Sequence, residues 1–336
     1  MTRTSARKRT NLRDVAAHAG VSVATVSRVL NAPKSVAPKT RARVESSIDA
    51  LRFVPSAAAR AINRGSSGFV AALIPTIDNA IYARVIDGLE AGLADQELAL
   101  MVAQTGDDAE AELTRARQLV HLGAEALIVV GADHAPGLYD LMDRAQIPVV
   151  AVSHFDANAP IPTIGYDNHS AALQAAEHLE QLGHTRVAVL HGPVSTNDRM
   201  RIRKQALMGR QDTARFRFFE VPISVEGGHT GTARLLDAAH DVTAVLCFSD
   251  VIAMGALNAL HGAGISVPQD MSLMGMEDLP AAQYTHPPLT SVSLSVEDMG
   301  VRAASAVSQW LRDGTQPAPL RLGSRVIARK TTAPPV

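Results

Sequence analysis

Asn11-Leu-Arg-Asp-Val-Ala-Ala-His-Ala-Gly20-Val-Ser-Val-Ala-Thr-Val-Ser-Arg-Val-Leu-Asn31 reads as two short helices joined by a tight corner. Asn11 is placed to cap the first helix, and Asp14 sets a carboxylate in its positively polarised first turn. Val15, Ala16 and Ala19 form a narrow apolar face, and Gly20 ends the helix. Ser22 caps the second helix, in which Val26, Val29 and Leu30 recur at helical spacing and turn inward. Val23, Ala24, Thr25, Ser27 and Arg28 are left facing outward. Small side chains, hydroxyls and one arginine suit a helix that enters a major groove and touches base edges. A third helix, opened by Pro38 and carrying Val44, Ile48 and Leu51, supplies the element needed to bury a core beneath two short helices.

Charge separates this stretch from the rest of the chain. Residues 1–65 hold 13 Lys/Arg against 3 Asp/Glu, a net of +10, whereas the other 271 residues carry a net of −11, so the overall −1 conceals two opposite halves. A segment this basic is best explained by a polyanion partner, because each neutralised phosphate releases counterions. The acidic remainder repels DNA and confines binding to the N-terminal part. Met1 to Arg9 reads as a loose basic arm without the apolar stretch of a secretory signal, so the expected compartment is the cytoplasm.

These residues resemble the lactose and galactose repressor (LacI/GalR) family of transcription factors. The resemblance runs through Leu12-Arg-Asp-Val-Ala16, Ala19-Gly-Val-Ser22, Thr25-Val-Ser-Arg-Val29 and Asn31, then Pro55-Ser-Ala-Ala-Ala-Arg-Ala-Ile62. It implies a helix-turn-helix head over residues 1–54, with Val23, Ala24 and Arg28 against bases and Ser22, Thr25, Ser27 and Asn31 holding phosphates. It also implies a hinge helix and linker over 55–66, paired across a homodimer on a pseudo-palindromic operator in double-stranded DNA. There Ser56, Ala59 and Ile62 would meet the minor groove, with Ile62 as the wedge where the family usually carries leucine. A helix this short is marginal alone in water and forms only when packed or bound.

From Phe69 the rhythm changes to strand, helix, strand. Phe69–Ile74, Leu98–Val102, Ala126–Val130 and Pro148–Val152 are apolar runs of the kind found in buried parallel strands, separated by amphipathic segments. After Tyr166 the alternation restarts with Arg186–Leu190, Phe218–Val221, Ala244–Phe248 and Met271–Gly275. Ser295 to Gly314 reads as a long helix and Leu320 to Ile327 as one last strand. The fold class is therefore an all-α head plus an α/β effector domain of two lobes, which the resemblance equates with the periplasmic-binding-protein architecture. The first lobe is expected over about 67–165 and 294–319, and the second over about 166–293 and 320–330.

Ligands of open parallel sheets sit beyond the carboxyl ends of the strands, so the candidate effector residues come from those turns. Asn79 matches the family's Asn-Pro-Phe-Phe turn after the first strand. Tyr82 is read either as a ring that stacks on the ligand or as a core aromatic. Ser153 follows the fourth strand and Tyr166 opens the second lobe. In Asn197-Asp-Arg-Met-Arg-Ile-Arg203 the arginines recur two apart and cannot share one helix face. The resemblance selects Arg203 as the clamp on the effector, with Arg199 and Arg201 as alternatives. Ser249-Asp250 and Glu277-Asp278 stand where the family has Asn-Asp and Asp-Asp turns, and His229 stands where relatives carry an aromatic. Carboxylates there would accept from sugar hydroxyls or, as aspartates often do, cap the following helices, the reading preferred for Asp250.

Other chemistry finds little footing. The 12 histidines are scattered, and His178 with His184 lacks both a zinc-site spacing and a cysteine partner. There is no Gly-x-Ser-x-Gly elbow, no Walker sequence and no Gly-x-Gly-x-x-Gly after a strand, so no catalytic residue, metal or cofactor is expected. The single cysteine, Cys247, lies in an apolar run, which points to a structural role. No apolar run is long enough to cross a membrane, and no tetramerising heptad follows the body, leaving a dimer as the expectation. The reading is a DNA-binding regulator, in all expectation a repressor, controlled by a small-molecule effector: a sugar, polyol or sugar acid. A solute-binding protein of a transport system and a ligand-independent DNA-binding protein are the alternatives.

Overall fold

A computed structural model describes residues 10–54, 66–238 and 241–336. Contacts divide the chain between Gly68 and Phe69 into two units.

The first unit holds α1 (Leu12–Ala19), α2 (Val23–Asn31) and α3 (Pro38–Ala50). Asn11 and Asp14 form a reciprocal capping box, in which the Asn11 side chain accepts from the Arg13 and Asp14 amides while Asp14 accepts from the Asn11 amide. Gly20 closes α1 in the left-handed conformation, which costs a residue without Cβ little. Val15, Ala16, Ala19, Val26, Val29, Val44 and Phe53 form the buried centre, and Leu30, Ile48 and Leu51 pack half-buried around it. The hinge residues Ser56, Ala59 and Ile62 and the arm of residues 1–9 lie outside the described residues.

The second unit is built on two six-stranded sheets. Strands β1 (Phe69–Ile74), β2 (Ala99–Gln104), β3 (Leu127–Val130), β4 (Val149–Val152), β5 (Thr163–Tyr166), β6 (Val187–His191), β7 (Phe216–Glu220), β8 (Ala244–Cys247), β9 (Ser272–Glu277), β10 (Thr290–Ser293), β11 (Leu320–Leu322) and β12 (Arg325–Ile327) follow in chain order. The first sheet runs β11-β5-β4-β3-β1-β2 and is parallel throughout. The second runs β12-β10-β9-β8-β6-β7, parallel except where β12 meets β10. Helices α4 (Ala80–Ala94), α5 (Ala109–His121), α6 (Pro136–Ala145) and α11 (Val296–Asp313) belong with the first sheet. Helices α7 (Asn168–Gln181), α8 (Asp198–Met208), α9 (Val225–Ala238) and α10 (Asp250–Gly262) belong with the second.

Three expectations are corrected here. Leu320 to Ile327 is two strands rather than one: β11 pairs with β5 in the first sheet, and only β12 joins the second. The segment therefore crosses between lobes, so residues 320–322 leave the second lobe for the first. The strands β5 and β10 were not legible as apolar runs, because Thr163-Ile-Gly-Tyr166 and Thr290-Ser-Val-Ser293 are half polar, yet both are almost wholly buried between neighbours. Finally, β2 is no buried strand but the sheet's edge, with Met101 and Val102 about two-fifths exposed.

The run Glu226-Gly-Gly-His-Thr-Gly231 lies within α9 and forms a seam where α9 crosses α10. A Cβ on Gly255 would stand 1.9 Å from the Val225 carbonyl, and one on Gly228 would stand 2.0 Å from that of Ile252. Only glycine permits that approach.

Candidate effector cavity and recognition face

Helix α2 presents Val23, Ala24 and Arg28 to solvent, with Val23 41% exposed, while its opposite side is buried in the head's core. Ser22 Oγ accepts from the Thr25 amide at 3.1 Å and lies 2.9 Å from Thr25 Oγ1, so these two hydroxyls brace the helix start. Asn31 Nδ2 donates to the Ser27 carbonyl at 2.8 Å and to Ser27 Oγ at 3.2 Å. The side chains expected on phosphates are thus tied in two local pairs that flank the exposed face. A helix start with aligned amides beside such a face suits an anionic phosphate.

In the second unit the two lobes meet over an inner cavity bordered by Asn79, Tyr82, Ser153, Tyr166, Arg203 and Glu277, together with Asn197, Arg199 and three apolar side chains. Each of those first six was singled out from its place near a strand's carboxyl end or on the first turns of α8. The cavity's free volume is about 20 Å3, room for a water. The backbone around it departs from extended geometry: Ser153, Glu277 and Asp278 have φ of 67°, 117° and 54°. Left-handed backbone at residues with a Cβ is costly and gathers where side chains are aimed at a site.

Arg203 lies on α8 with a relative exposure of 2%. Its Nε donates to Asn168 Oδ1 at 2.9 Å and its Nη1 to the Phe248 carbonyl at 2.6 Å. Asn168 in turn donates to the Ser153 carbonyl at 3.0 Å, linking the arginine to the first lobe. Glu277 accepts from Ser249 Oγ at 2.8 Å. Burial pushes the Glu277 carboxyl up to about 8, and the neighbouring Asp250 adds to the rise. Burial likewise raises the Tyr82 and Tyr166 hydroxyls, keeping both neutral.

Three assignments change. His229 is exposed on α9 with Nδ1 2.9 Å from Asn258 Oδ1 and does not border the cavity; the glycine seam turns its side chain outward. Asp250 is not a helix cap: Ser249 holds the cap position of α10, and the Asp250 carboxylate accepts from the Leu279 amide at 2.7 Å and Ser291 Oγ at 2.6 Å. It braces the turn that carries Glu277. Ser249 stands one bond behind the cavity, through Glu277.

The arginine triplet is sorted by helix geometry. Arg199 and Arg203, four residues apart, share the inner face, whereas Arg201 faces outward to Asp133 Oδ2 at 2.5 Å. Arg199 Nη2 reaches Asp107 Oδ1 of the first lobe at 2.7 Å and the Tyr82 hydroxyl at 3.3 Å, while Nη1 meets Asp198 Oδ1 at 2.6 Å. Asn197 Nδ2 donates to Asp107 Oδ2 at 3.2 Å, and Asp198 accepts from the amides of Ala132 and Asp133. Burial alone would favour a neutral Arg199, but Tyr82, Asp198 and Asp107 hold it firmly protonated. Gly131 makes the docking possible: a Cβ there would stand 2.5 Å from both the Asp198 carboxylate and the Arg199 guanidinium. Asp107 and Asp198 escaped the sequence reading. The available signal was Gly106-Asp107-Asp108 just beyond β2, the turn position from which ligand residues come.

Outside this contact lies a chamber of about 480 Å3 lined by Asp107, Asp108, Glu112, Asp133, Asp198 and Arg199 among others. Arg199 borders both spaces.

Comparison with known proteins decides the family. Residues 11–56 match the description "Bacterial regulatory proteins, lacI family", and residues 176–332 match the "Periplasmic binding protein-like domain". The HTH-type transcriptional regulator MalR of Streptomyces coelicolor is 34% identical over 325 residues, 92% of each chain. The chain belongs to the lacI family. The HTH-type transcriptional repressor PurR of Vibrio atlanticus is 28% identical, covering 90% of this chain and 92% of its own. The lac repressor dimer bound to operator and the anti-inducer ONPF shares the fold, with a TM-score of 0.85 at 24% identity over 97% of this chain and 100% of that one. This member of the lacI family is therefore a DNA-binding transcriptional regulator and not an enzyme. Among the described residues no helix is long and apolar enough to cross a membrane.

Proposed function

We propose that this lacI-family regulator is a homodimeric repressor whose affinity for a pseudo-palindromic operator is set by a small effector, a sugar, polyol or sugar acid, held between the two lobes. The head, over residues 1–54, reads bases with Val23, Ala24 and Arg28; residues 55–66 form the hinge; the remaining residues sense the ligand, all in the cytoplasm. The observation that carries the reading is the convergence of Asn79, Tyr82, Ser153, Tyr166, Arg203 and Glu277, from five separate segments of both lobes, on one enclosed polar cavity. The exposed apolar edge strand β2, with Met101 and Val102, supports pairing with a second copy, since an uncovered edge invites association.

A ligand with different affinity for two arrangements of the lobes shifts the population between them and so changes operator affinity. The test is a gel-shift selection on random duplexes, repeated with a metabolite panel. A single enriched palindrome, released or tightened by one class of metabolite, is the expected result. Equal, weak and salt-sensitive attachment to every duplex in every condition would defeat the reading.

A further inference from the structure

Arg203 is a buried cation without a buried anion. Among the described residues no carboxylate oxygen stands within 4 Å of its guanidinium, which is met instead by an amide oxygen and a peptide carbonyl. Glu277, which borders the same cavity, has its carboxyl pushed up to about 8 by burial, against the lowering pull of Arg203. The carboxylates of the outer chamber do not answer Arg203, because each is already engaged. Asp107 and Asp198 are on Arg199, Asp133 is on Arg201, Glu112 is 2.8 Å from His134, and Asp108 caps α5. A charge removed from water and left without an opposite charge is costly unless something supplies one.

The neighbouring arginine shows what does. Arg199, one turn before Arg203 on the same face of α8, is occupied by the Asp107 carboxylate, which is delivered across the cleft by the opposite lobe. Asp107 is thus an anion of the chain itself seated on an arginine that borders the cavity. Ser153 Oγ, in a residue only 2% exposed, borders the same cavity beside the Tyr166 hydroxyl.

We propose that the effector carries an anionic group, a carboxylate or a phosphate, which seats on Arg203 and displaces Asp107 from Arg199. This rests on the effector reading above and narrows it. Two arginines one helical turn apart then clamp one anion, neutral Glu277 and Ser153 donate hydrogen bonds to the ligand, and loss of the Arg199–Asp107 bridge removes one of the ties between the first lobe and α8, leaving Asp198 on the Ala132 and Asp133 amides and Arg201 on Asp133. Ligand entry and release of that bridge become one event.

The experiment is thermal unfolding of the full chain, and its operator binding, against matched sets in which a neutral pentose, hexose or nucleoside stands beside its carboxylic acid and its phosphate ester. The expected result is stabilisation by one anionic arm and none by its neutral counterpart; which arm responds tells carboxylate from phosphate. Arg203→Gln should weaken that ligand roughly 100-fold, the order of losing one partner of a buried charged pair. Asp107→Asn, which removes the internal competitor, should strengthen it roughly tenfold. Should Arg203→Gln fail to fold, Asp107→Asn carries the test, since its side chain comes from the other lobe.

A neutral compound that binds as tightly as its acid, or an anionic ligand indifferent to Asp107→Asn, overturns the proposal. If such a neutral compound still alters operator binding, the effector reading survives that failure. Silence from every member in both assays removes the two together.

Discussion

The head and the body of this regulator keep their arginines in opposite settings. In the head, Arg28 stands exposed on α2, where it can exchange water for a base edge or a phosphate. In the body, Arg199 and Arg203 are buried, and their partners are chosen by the fold: two aspartates for one, an amide and a carbonyl for the other. An exposed arginine binds by proximity and long-range charge. A buried one binds by the shortage of anything better to pair with, which makes it selective. The difference teaches that equal residue types in one chain can serve affinity in one place and specificity in another, according to solvent alone.

The largest expected effect breaks the body while sparing the head. Gly255→Leu places a side chain where Val225's carbonyl already stands, and should destabilise the body by about 3 kcal/mol or more. Calorimetry of the full chain should show the body's transition lowered and the head's unchanged. A common shift of both transitions would show that the two units unfold as one.

The second sharpens the burial side of the contrast. Glu277 has a raised folded pKa, so the folded chain holds a proton that the unfolded chain has released; stability falls as pH climbs from about 4.5 to about 8 and levels off above. Glu277→Gln imitates the protonated form and should be level with the parent at pH 5 but more stable by about 2–4 kcal/mol at pH 8. Denaturant melts across that range check it, and a constant difference at all pH values would refute the neutral Glu277.

The exposed side is tested by Arg28→Ala, which should cost about 1–3 kcal/mol at the preferred operator and relax the base preference at one position in each half-site. Footprinting of the variant on single-base operator variants reads it; an unchanged preference would place Arg28 on phosphate alone. The smallest effect is Asn11→Ala. Loss of the capping box should lower head stability by about 1 kcal/mol, visible in the first calorimetric transition and nowhere else.

What could be read from the chain varied with the distance over which each feature is built. The head's caps, its Gly20 corner and its buried valines lie within one or two turns of each other, so periodicity and capping chemistry disclose them. The central strands β1, β3, β4 and β8 announce themselves by apolar runs, because both their faces are covered. Strands β5 and β10 did not, since their burial comes from neighbours distant in sequence that cover polar side chains. The two-strand crossing at Leu320–Ile327 was hidden for the same reason: six apolar and basic residues carry no mark of which sheet they will join.

The sequence by itself determined the charged division of the chain, the capped helices of the head, the strand–helix alternation and the membership of a regulator family, because each of these is written in local spacing and composition. Only the tertiary structure decided which of three arginines turns inward, that Asp107 crosses the cleft to meet one of them, that His229 leaves the site and that Asp250 braces rather than caps. Those outcomes depend on how two sheets bring segments about 90 residues apart into contact, as Asp107 and Arg199 show. They depend as well on how burial there changes the charge that a side chain can hold.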